Sequence, residues 1–344
     1  MSKYILLGLI LLGFLSGTAE AGTREKKKKK GKTEAVAPKK SEYEMFREME
    51  GLKTVSGWFI TLHRLGDKIF FEYPLKYMER DLLIASPPAA TSEPLLVNVG
   101  YKASTPMHVR FEQEDSVIFL CERNSYMTYD EHLKNREDDK RTRFNPIRDN
   151  FMDVKKQKMK IVTYNTERTA VVFDVTEFFT DKNARLCPVK GYFMGLPLVG
   201  DLKKNLSTIG KIKAFDDNIS IEMRETYACA LRRGQDLIGL GDITVNTVKS
   251  VLLLPEKKMK PRLSDPRIGI FLTGKQNISP EEGAKYYSFA NRWRLEPKDV
   301  AAYRRGELVE QVKPIVFYID DAFPELWKQP IKEGTLRWNA AFEK

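Results

Sequence analysis

The sequence predicts an α+β fold that is predominantly antiparallel β, either a hairpin-rich sandwich or curled sheets, with a few short helices. The first observation is a series of short segments in which apolar and polar residues alternate, as in half-buried strands. The second is that turn residues separate these segments at regular spacing, which favours antiparallel pairing. The third is the composition: of 344 residues, 42% are hydrophobic and 31% charged, which excludes disorder over most of the chain.

Residues 1–21 have the pattern of a secretory signal peptide. Lys3 gives a positive start, 4–15 is mostly Leu, Ile and Gly, and small residues precede the expected cleavage after Ala21. This apolar run is too short to span a bilayer, which takes roughly 20 residues. We therefore expect export to the periplasm, the cell envelope or the medium.

Residues 22–40 are predicted to be a disordered basic linker. They hold nine basic and two acidic residues and no aromatic one, so seven of the eleven net positive charges of the chain belong to them. Because the charge is concentrated in this tail, we expect no nucleic-acid partner. The linker is either a solvated tether or a weak electrostatic attachment of residues 24–40 to an anionic lipid or polysaccharide surface.

Three segments follow the linker. Residues 41–100 are predicted to be a small N-terminal α+β domain, 101–312 a β-rich domain, and 313–344 the truncated start of a further domain. The elements predicted in 41–100 are a helix over 42–49 capped by Ser41 and ended by Gly51, a hairpin over 58–63 and 68–73 around Gly66-Asp67, and strands over 82–85 and 95–99.

The β-rich segment contains several predicted hairpins and one short helix. Residues 192–200, with Gly195 and Gly200, are predicted to be an apolar loop. The charged segment 130–143 is predicted to be a solvated loop, since its acidic trio lacks the glycine and oxygen spacing of a calcium loop. The predicted elements are strands over 107–112, 117–121, 158–164, 169–175, 211–215, 219–227 and 243–254, and a helix over 176–179.

The C-terminal segment follows a different pattern. Residues 314–320 are predicted to be a strand, and a helix is predicted after Pro324. One face of this helix is apolar, and its periodicity continues to Lys344, so we expect that face to be uncovered and poorly held. The residues of the face are Ile331, Thr335, Trp338, Ala341 and Phe342.

No catalytic, cofactor-binding or metal-ligating residue is assigned from the sequence. His63, His108 and His132 lie far apart, no pair has the i, i+4 spacing, and HExxH is absent. A self-contained zinc hydrolase is therefore not expected. The alternation of 107–112 predicts that His108 is an exposed strand histidine, and Asp216-Asp217 is predicted to be a turn.

Three cysteines leave two alternatives open. In an oxidising compartment Cys121, Cys187 and Cys229 allow at most one internal disulfide and leave one thiol. Alternatively, all three are small buried residues. Sequence spacing nominates no histidine partner for a cysteine nucleophile. The glycines at 234, 239 and 241 form no G-x-G-x-x-G motif and precede no helix, so no phosphate site is predicted there.

Four stretches carry a resemblance to a known family. They are LLLPEKKMKPRLSDPRIG at 252–269, RWRLEP at 292–297, 313–320, and WNAAFE at 338–343. From about residue 41 to 344 the chain resembles the N-terminal part of large secreted bacterial zinc-dependent metalloproteases, most strongly over 252–344. In those proteins a metzincin-like catalytic module follows two regions of unknown function, and 313–344 is similar to the opening strand and first helix of that module.

The resemblance implies a non-catalytic N-terminal part of a secreted zinc-dependent metalloendopeptidase. The family's zinc site, HExxHxxGxxH, is absent from this chain, so zinc and the protein or peptide substrate belong to the full-length protein, and this chain alone is expected to be inactive. The chain is then a fragment or the product of a truncated gene. The alternative is an exported β-rich binding or structural module with no catalytic role.

Residues 257–269 raise one narrower question. Pro255, Pro261 and Pro266 predict an extended crossing segment. It is similar to metzincin pro-segments in which a carboxylate occupies the open zinc position, and Asp265 is the candidate. The alternative is that Asp265 opens a turn and pairs with Arg262 or Arg267.

Overall fold

The computed structural model describes residues 40–129, 152–279 and 283–343. The predicted signal peptide, nearly all of the basic linker, the charged segment 130–143 and His132 lie outside the described residues. The helices are α1 Glu42–Arg47, α2 Thr176–Thr180, α3 Val300–Arg304, α4 Glu325–Leu336 and α5 Asn339–Phe342. The strands are β1 Lys53–Val55, β2 Thr61–Leu65, β3 Lys68–Pro74, β4 Leu82–Ala85, β5 Pro88–Thr91, β6 Met107–Glu114, β7 Val117–Glu122, β8 Met127–Tyr129, β9 Val154–Tyr164, β10 Ala170–Asp174, β11 Lys190–Phe193, β12 Leu196–Leu202, β13 Thr208–Ala214, β14 Asn218–Arg233, β15 Asp236–Leu253, β16 Leu272–Ser279 and β17 Gly283–Ala290.

Fourteen of these strands form one antiparallel sheet, in the order β1-β2-β3-β10-β9-β7-β6-β4-β15-β14-β12-β11, with β13 on β14 and β5 on β15. The sheet curls until its β1–β3 end meets β13. Arg64 in β2 donates a hydrogen bond to the carbonyl of Gly210 in β13 at 2.6 Å. A Cβ atom on Gly57 would lie 2.8 Å from that of Ala214, so this close approach requires glycine. The predicted antiparallel, curled β architecture is confirmed.

The main core lies inside this curl. Alternating residues of facing strands bury large aromatic side chains, and Phe111 packs against Tyr73 and Phe173 with ring centroids 5.1 and 5.3 Å apart. Edge-to-face aromatic pairs of this kind add to the area they bury. Strands on either side of residue 100, the predicted domain boundary, share the sheet, because β4 pairs with both β6 and β15.

Helix α1 packs on the outside of the sheet. Its start is the predicted one: Ser41 accepts a hydrogen bond from the Glu44 amide, and the Glu44 carboxylate accepts one from the Ser41 amide. This capping box pairs two donors that the first helical turn leaves free. Phe46 then reaches Phe70 and His63, edge to face. The predicted hairpins of β2–β3, β6–β7, β9–β10, β13–β14 and helix α2 are also confirmed.

Three predicted elements are wrong. Residues 95–99 form a turn, because the main-chain carbonyl of Glu93 accepts hydrogen bonds from the amides of Leu96 and Val97 and its side chain accepts one from Leu95. The strand in this region is β5, which lies before the turn. Residues 192–200 are not a loop but lie within the β11–β12 hairpin. Met194 and Gly195 both have positive φ there, which suits a two-residue turn between twisted strands.

Residues 314–320 are not a strand either. In the described part of the chain no strand pairs with this segment, and a run of apolar residues alone cannot form a ladder. Helices α4 and α5 follow it, as predicted after Pro324, and bury none of their side chains. Among the described residues, no helix has the length and apolar character needed to cross a membrane.

Candidate functional site

A cavity of about 270 Å³ lies between the 181–190 loop that follows α2 and the strands β12, β14 and β15. We call it the Lys249 cavity. Its apolar walls come from both sides, and an ion pair from β14 and β15 also lines it. The residues that define it are Leu186, Cys187, Val189, Leu198, Leu202, Glu225, Tyr227 and Lys249.

Asn183 shapes the turn in the loop wall. Asn183 accepts the Arg185 amide with its side chain and the Leu186 and Cys187 amides with its carbonyl, each at 3.0 Å. An asparagine that bonds its own following backbone is a common way to fix a turn. The loop then packs against β12, where a Cβ on Gly200 would lie only 2.5 Å from the Cβ of Val189. Glycine therefore lets the loop approach the sheet closely.

The strand wall carries a buried ion pair. The Lys249 ammonium donates to Glu225 Oε1 at 2.6 Å and to the Phe179 carbonyl at 2.5 Å, and Thr247 donates to Glu225 Oε2 at 2.7 Å. The Lys249 and Glu225 side chains are 2% and 1% exposed. Removing two charges from water costs several kcal/mol per ion, and only a well-hydrogen-bonded pair offsets it. Such a pair beside a cavity is a candidate binding feature.

Two further polar groups of the cavity, the Cys187 thiol and the Tyr227 hydroxyl, are held neutral. Burial raises the pKa of the Cys187 thiol to about 11. Burial, together with the nearby Glu225 carboxylate, raises the pKa of the Tyr227 hydroxyl. A thiolate is the reactive form of cysteine, so Cys187 is not an activated nucleophile at neutral pH.

The sequence analysis missed Glu225 and Lys249 although the signal was present. In β14 the buried positions alternate through Ile221 and Met223, and the next one is Glu225. In β15 the same alternation places Lys249 between buried Thr247 and Val251. Two charged residues of opposite sign on the inward faces of paired strands predict a buried ion pair.

His63 is buried in a polar network under α1. Its Nδ1 lies 2.9 Å from Thr54 Oγ1 and its Nε2 lies 2.9 Å from Glu72 Oε2. Tyr43 donates to the other Glu72 oxygen at 2.9 Å. Burial acts to raise the pKa of Glu72, but the hydrogen bonds from His63 and Tyr43 outweigh it and lower that pKa. The network ties α1 to the sheet and has no access from solvent at His63.

His108 is not the exposed residue that was predicted. It lies on the outward face of β6, but Asp81 and Arg123 cover it in part. Its Nε2 is 3.2 Å from Asp81 Oδ1, and Lys258 and Arg123 also contact Asp81, at 3.0 and 3.2 Å. Burial lowers the pKa of His108 and outweighs the opposing effect of Asp81. The group is a surface ion cluster.

Asp265, Asp216 and Asp217 do not line the cavity, nor do Cys121 and Cys229, whereas Cys187 lines it. Asp265 pairs with Arg267, accepting both its side chain and its amide, which is the turn geometry of the alternative interpretation. Asp216 and Asp217 lie between β13 and β14, as predicted. All three cysteines are free thiols; Cys121 and Cys229 are buried, and Cys187 is partly exposed. In the described ranges, no three His, Cys, Asp or Glu side chains group to hold a metal ion.

The described residues thus form a β-rich domain in which an ion pair lines an apolar cavity. The family described as "Domain of unknown function (DUF5117)" matches residues 100–298, more than half of the chain. The chain belongs to this family, and all residues that line the Lys249 cavity lie within the matched range. No curated protein and no solved structure matches the chain.

Proposed function

We propose that this chain is the non-catalytic N-terminal part of an exported zinc-dependent metalloendopeptidase, and that residues 313–344 begin the catalytic module. The proposal rests on the sequence resemblance over 252–344 and on the predicted signal peptide at 1–21. One structural observation also supports the proposal: residues 308–343 form a surface with exposed apolar side chains.

This C-terminal surface exposes large apolar side chains close together. Tyr318 is 92% exposed, Trp338 67% and Phe317 63%. These side chains line an open cavity of about 970 Å³ between residues 308–319 and helices α4 and α5. Contiguous exposed apolar patches are rare on soluble monomers and mark surfaces that another protein part covers. A catalytic module that packs on this surface accounts for the exposure.

The residues present do not fit the zinc that the resemblance implies. Within the described ranges there is no group of three possible ligands, and the open three-ligand site of a zinc peptidase requires one. No catalytic step is therefore assigned to this chain. Its part in the proposed protease is structural: it folds beside, supports or positions the catalytic module.

The proposal is tested first on the gene. We expect the reading frame to continue beyond codon 344 and to encode HExxHxxGxxH. A stop codon directly after Lys344 in the native gene would contradict the proposal and favour the exported binding or structural module. The Lys249 cavity is the observation that favours that second candidate.

A second test asks whether the catalytic module covers the C-terminal surface in the longer protein that the proposal predicts. We expect Trp338→Ser with Phe342→Ser to lower its melting temperature and to leave that of the isolated chain unchanged, since only the longer protein buries these rings. Trp58→Ser, at a tryptophan that is 81% exposed and far along the chain, is the control and is expected to leave the melting temperature of both proteins unchanged. Equal effects of the double variant in both proteins would contradict the proposal.

A further inference from the structure

The proposed function makes no use of the Lys249 cavity, whose walls come from the 181–190 loop and the sheet and whose ion pair belongs to the sheet. We propose that this cavity binds a small, uncharged, mainly apolar molecule that carries one hydroxyl or amide group. This inference does not depend on the protease proposal, because it concerns only residues 179–249.

The size and walls of the cavity select the apolar body of the ligand. Its volume is about 270 Å³, and Leu186, Val189, Leu198 and Leu202 supply hydrocarbon surface. An apolar cavity of roughly 150 Å³ in another protein is large enough for benzene. The Lys249 cavity therefore holds a body somewhat larger than one aromatic ring, such as a chain of about six carbons.

The ion pair selects the polar group. The Lys249 ammonium has three N–H donors, and its two observed partners are Glu225 and the Phe179 carbonyl. The third donor suits a ligand oxygen. The Glu225 carboxylate accepts from Lys249 and Thr247 and retains further acceptor capacity for a ligand O–H or N–H. A hydroxyl or an amide satisfies both groups at once.

The same pair disfavours a charged ligand. Glu225 and Lys249 neutralise each other, so an anion at this depth would meet the carboxylate and a cation would meet the ammonium. A buried charge without its own partner is costly. Of the charged residues near the cavity entrance, Lys182 is paired with Asp201 and Asp181 with Lys204. Lys190 donates to the Ser104 hydroxyl and is exposed to water, which screens its charge.

Binding is measured by titration calorimetry with four probes of similar length: 1-hexanol, hexanamide, hexanoate and hexylamine. We expect saturable one-to-one binding of the first two and at least about tenfold weaker binding of the charged pair. The variant Lys249→Met with Glu225→Leu removes both charges together and is expected to keep the fold, because neither charge is left buried without its partner. It is expected to bind hexanol about tenfold more weakly, because hydrogen bonds to charged groups are lost.

The rate at which Cys187 is alkylated in the unmodified protein shows whether the ligand binds in the Lys249 cavity. At pH 9, where some thiolate is present, hexanol is expected to slow the alkylation of Cys187 and to leave that of Cys121, in another part of the sheet, unchanged. The variant Trp338→Ser with Phe342→Ser controls for binding to the C-terminal surface and is expected to retain full affinity. No saturable binding, equal affinity for the charged probes, or unprotected Cys187 would overturn the proposal.

Discussion

The curled sheet and the C-terminal segment place their aromatic side chains in opposite environments. In the sheet, Phe71, Phe111 and Phe173 are almost completely buried, whereas Phe317 and Trp338 of the C-terminal segment are more than half exposed. Both regions are rich in apolar residues, so composition does not separate them. The difference shows that the sheet completes its own core, while the surface at 308–343 has the apolar character of a core and lacks a covering partner among the described residues.

The largest change in stability is expected when the buried ion pair of the sheet is broken. Lys249→Met is expected to lower the free energy of unfolding by about 3–5 kcal/mol, because it leaves the Glu225 charge buried and unpaired. Adding Glu225→Leu is expected to recover most of that loss. Urea unfolding of both variants measures the difference. A single variant as stable as the double one would mean that the pair is accessible to water.

A matched pair of phenylalanines compares the two regions directly. Phe111→Ala is expected to cost about 3–5 kcal/mol, as for other large buried side chains. Phe317→Ala is expected to change stability by no more than about 0.5 kcal/mol in the isolated chain, since its ring is exposed. Thermal or urea unfolding measures both. Similar losses for the two would remove the distinction between the regions.

A smaller effect concerns pH and the network under α1. The folded-state pKa of Glu72 lies below its ordinary value of 4.5, so the charged form is favoured by folding. The stability it contributes is complete above pH 4.5 and is lost as the pH falls through the folded-state pKa. Glu72→Gln is therefore expected to flatten the fall in stability below pH 4.5. Glu167→Gln, at an exposed carboxylate, is the control and is expected to leave the pH profile unchanged.

Much of the sheet could be predicted from the sequence because alternation and turn residues act locally. The hairpin of β6 and β7 and the capping box at Ser41 need only near neighbours. The wrong strand predictions arise where contacts with other residues, and not the local pattern, determine the structure. Residues 314–320 are a run of apolar residues but have no described strand beside them, and 95–99 form a turn because they hydrogen-bond to Glu93.

The candidate site was missed for a different reason. In β14 the apolar residues on the inward face, Ile221 and Met223, are followed on the same face by the charged Glu225, which a search for apolar periodicity does not detect. Its partner Lys249 lies 24 residues further along and reaches it only through strand pairing. The cavity itself arises where the 181–190 loop crosses the sheet, which no local pattern contains.

Hydrogen exchange of the isolated chain tests the central contrast most directly. Helix α4 contains Pro330 and Gly334, both poor helix formers, and none of its side chains is buried. We expect the amides of 325–342 to exchange much faster than those of the β9–β10 hairpin, where Val171 and Phe173 are fully buried. Equal protection of the two segments would contradict the account, because the chain would then cover its own C-terminal surface.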